Sequence, residues 1–202
     1  VSELKTFIES HDFFFVAGHK EPDGDCIASC LAVASMLDYF SKPYQLLSAG
    51  PFKRNEIIKW KDRFSDTMIF QDSQERAKTG LIIVDCGELF RLGEIDGDLK
   101  GLDLFIIDHH KTSVPVEGVK SYINPLAPAC SYLIQIFYEM IIGDIPKNIA
   151  EILFFGICTD TGFFRFLAED SAPVFEAVSR LVSYGANPKI TYNQITNGKP
   201  YS

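Results

Sequence analysis

The 202 residues are 47% apolar, enough for one large core, and carry a net charge of −8 with a pI near 5.0. That balance excludes an electrostatic grip on long nucleic acid, which needs a basic face, and leaves open short or single-nucleotide phosphates, whose charge a metal can neutralise. Five cysteines, with no apolar run of spanning length and no apolar signal segment at the start, exclude a disulfide scaffold and a helical membrane protein, and point to a reducing, cytoplasmic home.

Residues 2–10 read as a short helix and Phe13–Ala17 as a strand, which runs into Gly18, His19 and the acidic loop Glu21-Pro22-Asp23-Gly24-Asp25. Ile27, Leu31, Ala34 and Leu37 recur at helical spacing and predict a helix over 25–40, so the loop opens onto a helix N-terminus, where anions are favoured. Tyr44–Leu47 is expected to be a strand, 55–60 a helix, 68–70 a short strand, and 81–84 another that ends on Asp85 and Cys86. Glycines at 87, 93, 97 and 101 break up the next stretch into loop with a helical turn.

Leu104-Phe105-Ile106-Ile107 is an unbroken apolar run, which reads as a strand buried on both faces and therefore as part of a parallel sheet under helices. It stops on Asp108-His109-His110. A brief strand is expected near Tyr122 and Ile123, then helices over 131–142, 147–158, 171–184 and 188–195. Asp160 falls at the end of the third-last of these, where the helix dipole disfavours a carboxylate by about 0.3–1 kcal/mol, so a cation is expected beside it. Strands alternating with helices imply a three-layer α/β fold, with a mainly parallel sheet and helices on both faces. Residues 1–196 read as one domain and 197–202 as a polar tail where a second domain would begin; the start at Val1 rather than Met suits a piece of a longer chain.

Three strand-like runs thus end in acids or histidines, at the edge where parallel sheets gather function. The groups expected there are His19, Asp23, Asp25, Asp85, Asp108, His109, His110 and Asp160. Five carboxylates in one cleft repel one another, so divalent cations are needed to keep them ionised. Two metals about 3.5–4 Å apart with a bridging carboxylate would use this many ligands, the usual arrangement for hydrolysing phosphate esters. Oxygen and imidazole without thiolate favour manganese, with magnesium as the alternative. Gly24 is expected to turn the loop tightly so that Asp23 and Asp25 reach neighbouring ions.

His19-x-x-x-Asp23-Gly24-Asp25, Val84-Asp85, Asp108-His109-His110 and Thr159-Asp160-Thr161-Gly162-x-Phe164-Arg165-Phe166 together resemble, in that order, the four signatures of the DHH phosphoesterases. That family includes oligoribonucleases that also dephosphorylate 3′-phosphoadenosine 5′-phosphate, cyclic di-AMP phosphodiesterases, single-strand exonucleases and family II inorganic pyrophosphatases. The resemblance spans roughly residues 10–195. It implies that His19, Asp23 and Asp85 hold one manganese and Asp25, Asp85, His109 and Asp160 the other, with Asp85 bridging. His110 would face the substrate phosphate, and Asp108 would orient His109 from behind.

The implied activity is a manganese-dependent phosphodiesterase or phosphatase acting on a short nucleotide or oligonucleotide, with no membrane partner and with a homodimer allowed. An inorganic pyrophosphatase and a catalytically silent nucleotide-binding module are the alternatives. The sequence departs from the family at Ala28-Ser29, where Gly-Ser is common, and in lacking the second domain that grips the substrate. Arg165 is weighed as a phosphate contact against a surface ion pair, and Ser131 reads as a helix N-cap. Without a Cys-x-x-Cys pair, the cysteines read as small buried apolar residues rather than zinc ligands.

Overall fold

The computed structural model describes residues 1–70, 75–113 and 115–196, so the tail at 197–202 lies outside the described residues. Strands β1 (Phe13–Ala17), β2 (Tyr44–Leu47), β3 (Thr79–Val84), β4 (Asp103–Asp108) and β5 (Lys120–Ile123) form one sheet in the order β2-β1-β3-β4-β5. Every pairing is parallel. From β1 the chain crosses outward to β2, then returns to lay β3 on the other side of β1. Such a reversal opens a crevice at the carboxyl ends of the two strands that flank it. His19 follows β1 and Asp85 follows β3. The register pairs Ala17 with Ile83 and Val84 with Ile107, so the three central strands end nearly level.

The two-sided burial expected of these strands is observed. Phe14, Val16, Leu46, Ile82, Val84, Phe105 and Ile107 point into a core shared with α1 (Ser2–Ser10), α2 (Gly24–Tyr39), α3 (Cys130–Ile141), α4 (Lys147–Asp160) and α5 (Ala172–Ser183). Their neighbours Phe15, Ala17, Leu47, Leu81, Ile83 and Ile106 point the other way. There the cover is Met68, Leu92 and Leu102, and its helical part is the 3-10 turn Leu89–Leu92. A last helix, α6 (Pro188–Thr196), packs on α4.

The central helix α2 is buried nearly all round, as an apolar helix without a polar face must be. It can lie close to α4 because glycines clear the crossing. A Cβ on Gly156 would stand 2.6 Å from the Ala28 Cβ, and one on Gly24 2.4 Å from the Thr159 hydroxyl. Gly24 has no positive φ and is the first residue of α2. Its role is therefore to admit α4 and not, as expected from the sequence, to turn the loop.

Two predicted elements differ. Residues 55–60 were expected to be helical, but the chain makes turns and then a 3-10 helix at Ile58–Arg63. Ile57 is buried there and Trp60 packs on Phe155, their rings 5.3 Å apart, an apolar stripe too short to propagate α-helix. Residues 68–70 were expected to be a strand, but they are irregular; the isolated bridges of this stretch, Ser65 to Leu47 and Thr67 to Asp96, fall just before them. Met68 is core all the same and Phe70 lies edge-on to Phe15 at 5.1 Å, while Ile69 is exposed.

Candidate metal centre

Each strand end delivers its groups by local chemistry. After β1, His19 donates Nδ1–H to the Lys20 carbonyl at 2.8 Å, which fixes the ring and leaves Nε2 facing Asp85 Oδ2 at 3.5 Å and Asp23 Oδ1 at 3.9 Å. Asp23 is the N-cap of α2, and its Oδ1 accepts from the backbone amides of Asp25 and Cys26, both at 3.1 Å. After β3, Asp85 adopts a left-handed backbone with φ 56°, uncommon outside glycine, though Asp is among the residues that tolerate it. That turn buries its carboxylate between His19 and His109.

His109 Nε2 lies 3.3 Å from Asp85 Oδ1, 3.5 Å from Asp160 Oδ2 and 3.8 Å from Asp25 Oδ2. Its other nitrogen, Nδ1, meets the Ala127 carbonyl at 3.3 Å. Asp160, the last residue of α4, thus has the neighbouring cation that its place against the helix dipole called for. Asp25 is buried and does a second job. Its two oxygens accept the amides of Cys130 (2.6 Å) and Ser131 (2.8 Å), capping α3 from another helix. Ser131 was expected to be that cap, but its hydroxyl makes no hydrogen bond among the described residues, and α3 starts one residue earlier. A carboxylate 105 residues upstream leaves no local sequence signal of such a cap.

The electrostatics are those of a cage short of positive charge. Burial alone would raise Asp85, but the imidazoles of His109 and His19 outweigh it and hold the acid at about 2. Burial would likewise lower His19 and His109, but Asp85 and the acids around it raise both to about 9. Asp160 is pushed up to about 6 by burial and by repulsion from Asp85 and Asp23, against the pull of His109. Burial, then Asp85 and Asp160, push Asp25 well above the carboxylate range.

Asp85 Oδ1 and His109 Nε2 are buried, close, and not aligned as donor and acceptor; neither makes a hydrogen bond among the described residues. Buried polar atoms are rarely left so, and atoms of this kind facing one another across 3.3 Å fit a shared cation. Three sets of ligand atoms lie within 4.8 Å of one another: His19, Cys26 and Asp85; Asp85, His109 and His110; and Asp25, His109 and Asp160. Asp85 and His109 recur, as bridging and central ligands should. Asp23 stands just outside, its Oδ2 3.9 Å from Arg54. Arg165 is not drawn in: its Nε–H donates to the Gly162 carbonyl of its own exposed turn. Arg54 carries no spacing signal in the sequence; Cys26, read there as a small buried apolar residue, stands beside His19 and Asp85.

The family profile described as "DHH family, N-terminal domain" matches residues 14–157. The chain belongs to the DHH family. Among DHH relatives, the bifunctional oligoribonuclease and PAP phosphatase NrnA of Thermus thermophilus is 27% identical over 173 residues, 85% of this chain and 50% of that protein. The cyclic-di-AMP phosphodiesterase PdeA of Listeria monocytogenes is 29% identical over 199 residues, 91% of this chain and 30% of that protein. The chain therefore spans half or less of these curated relatives.

A crystal structure of an exopolyphosphatase-related protein from Bacteroides fragilis superposes with a TM-score of 0.82 at 22% identity, covering 100% of this chain and 60% of that one, and shows the shared α/β fold.

Within this DHH chain the Asp108-His109-His110 triplet divides its labour differently from expectation. Asp108 was expected to orient the His109 ring. Its Oδ1 instead accepts the His110 Nδ1–H at 2.8 Å, and touches His109 only through that residue's backbone amide, also at 2.8 Å. The Ser113 hydroxyl donates to Oδ2. The reason is geometric: His109 turns into the cage toward Asp85, Asp160 and Asp25, which leaves the following ring beside the Asp108 carboxylate.

Proposed function

We propose that this chain is the catalytic part of a manganese-dependent hydrolase of phosphate esters on short nucleotides, such as short oligoribonucleotides, linear or cyclic di-adenylates, or 3′-phosphoadenosine 5′-phosphate. The observation that carries the reading is the unpartnered pair Asp85 Oδ1 and His109 Nε2, enclosed by the further carboxylates Asp25 and Asp160. Divalent ions bound there would supply positive charge to the phosphate oxygens and activate a water for attack. His19, Asp23 and Asp85 hold one ion, and Asp25, Asp85, His109 and Asp160 the other.

His110 is the most exposed of the three imidazoles, 32% against 12% for His19 and 13% for His109, and serves the substrate side. With Nδ1–H held on Asp108, the other edge of the His110 ring is left to meet the substrate phosphate. The Thermus and Listeria relatives support the nucleotide class of substrate. A manganese-dependent inorganic pyrophosphatase from Methanocaldococcus jannaschii, 25% identical over 159 residues, 75% of this chain and 49% of that protein, supplies the competing substrate.

The test is a manganese-supplemented panel of di-adenylate, cyclic di-adenylate, 3′-phosphoadenosine 5′-phosphate and pyrophosphate, run on this chain and on the gene product in full. Turnover of a nucleotide, lost by more than about 100-fold in Asp23→Asn with an unchanged circular dichroism spectrum, is expected, since even a supporting group costs 10–100-fold. Turnover of pyrophosphate alone would reassign the substrate. Nucleotide binding with no product from either protein would make it a silent binding module.

A further inference from the structure

Apolar side chains surround the mouth of the acidic cage. Among the described residues the three most exposed large apolar side chains are Leu126 at 92%, Phe90 at 76% and Phe166 at 74%. All three lie on segments at the sheet edge that carries the metal centre. Leu126 precedes Ala127, whose carbonyl meets His109. Phe90 precedes Arg91, whose carbonyl accepts the Lys20 amide next to His19. Phe166 follows Asp160 on the turn that ends α4. Exposed apolar groups beside a charged cleft suit a ligand that is itself part apolar and part anionic.

Of the three, Phe166 is the one that strained backbone presents. Gly162, Phe163 and Phe164 are successive residues with positive φ, at 57°, 57° and 71°. Phenylalanine rarely adopts that conformation, which persists only where the surroundings enforce it. Here the Phe163 amide donates to the Cys158 carbonyl at 2.7 Å, the Phe164 amide to the Thr161 hydroxyl at 3.1 Å and the Phe166 amide to the Thr161 carbonyl at 3.1 Å. Phe163 and Phe164 both stand edge-on to Phe154, their ring centres 6.4 Å and 6.0 Å from it. The turn therefore holds Phe166 in a fixed place, its ring against Gly162, where a Cβ would fall 2.5 Å from it. Strain kept beside a metal ligand, in a turn that exposes its last aromatic ring instead of burying it, points to a ring used for contact.

We propose that Phe166 is the platform on which the base of a nucleotide substrate stacks while its phosphate lies at the metal centre. A nucleotide has an apolar half for the rim and an anionic half for the cage, whereas pyrophosphate has nothing for the rim. Stacking on an aromatic ring suits any base, because every base has a flat π-face. Arg165, whose guanidinium lies 5.8 Å from the centre of the Phe166 ring, adds a cation beside the same surface. The proposal rests on the nucleotide reading above and names the residue that sets nucleotides apart from pyrophosphate.

The experiment compares di-adenylate with an analogue that keeps the phosphodiester and sugars but carries no bases, on this chain and on the gene product in full. The wild type should prefer di-adenylate in kcat/KM. Phe166→Leu, which keeps apolar bulk without a ring, should lower that preference about 5–100-fold, mainly through KM, and Phe166→Trp should retain it. Independently of turnover, a 2-aminopurine nucleotide should lose fluorescence as it stacks on the Mg2+-loaded wild type, and should keep it with Phe166→Leu.

A preference for di-adenylate that is unchanged in Phe166→Leu would overturn the proposal and leave nucleotide hydrolysis standing. Equal losses on both substrates would do the same, since Phe166 would then steady the turn or cover another part of the protein. A wild type that turns over the analogue as well as di-adenylate would overturn it too. Absence of nucleotide turnover and binding in both proteins would overturn the proposal together with the reading it rests on.

Discussion

Replacing Asp25 with asparagine separates its two jobs. In the metal-free protein Asp25 caps α3 with both oxygens, at 2.6 Å and 2.8 Å. The asparagine side chain would keep one acceptor and set an NH2 against the other backbone amide. A hydrogen bond to a charged acceptor contributes about 1.5–3 kcal/mol, and stranding a buried donor costs about 1–3 kcal/mol. Against this, the substitution removes a charge that Asp85 and Asp160 repel. The net expectation for metal-free Asp25→Asn is a loss of about 1–3 kcal/mol, read as a lower urea midpoint with an unchanged slope. Asp160→Asn should behave oppositely. Asp160 accepts no backbone amide among the described residues and is repelled by Asp85 and Asp23, so its replacement leaves the metal-free midpoint unchanged or raises it, while still weakening metal binding. If metal-free Asp25→Asn unfolded at the wild-type midpoint, the cross-helix cap would be refuted as a source of stability.

Metal-free stability should fall as pH rises. His19 and His109 are raised from 6.5 to about 9, so the stability their protonated rings contribute is complete below pH 6.5 and lost through about pH 9. Urea midpoints at pH 6, 8 and 10 check this, and a midpoint rising over that range would contradict it. Because the rings must deprotonate to take a metal, binding at pH 7 should release protons, measured by calorimetry in buffers of different ionisation enthalpy. Asp108→Asn should lower turnover about 10–100-fold with the metal content intact, because the carboxylate supports His110 rather than a ligand ring; metal lost in proportion would contradict that. Gly156→Ala should cost about 1–3 kcal/mol in urea, by forcing α2 and α4 apart at Ala28.

The sheet was legible because its central strands are buried on both faces and so write unbroken apolar runs, and because each run ends on the group it delivers. His19, Asp85 and His109 could be placed at one edge for that reason alone. What was not legible depends on contacts across the chain. The Asp25 cap on α3 joins residues 105 apart, the Asp108–His110 bond depends on which way His109 turns, and the fit of Cys26 against Gly18 depends on the meeting of α2 with β1. The 68–70 stretch misled because Met68, a core residue, and Phe70, packed against that core, are carried on irregular chain, and apolar content does not separate that from a strand.

The convergence of these acids and imidazoles on a shared pair of cations is tested most directly by counting ions. Metal-free chain, saturated with Mn2+ and passed through a desalting column, should carry about two ions by elemental analysis. Asp85→Asn, which preserves the left-handed turn at that residue, should carry fewer than one. Wild type that retains no ion, or Asp85→Asn that retains both, would contradict the account.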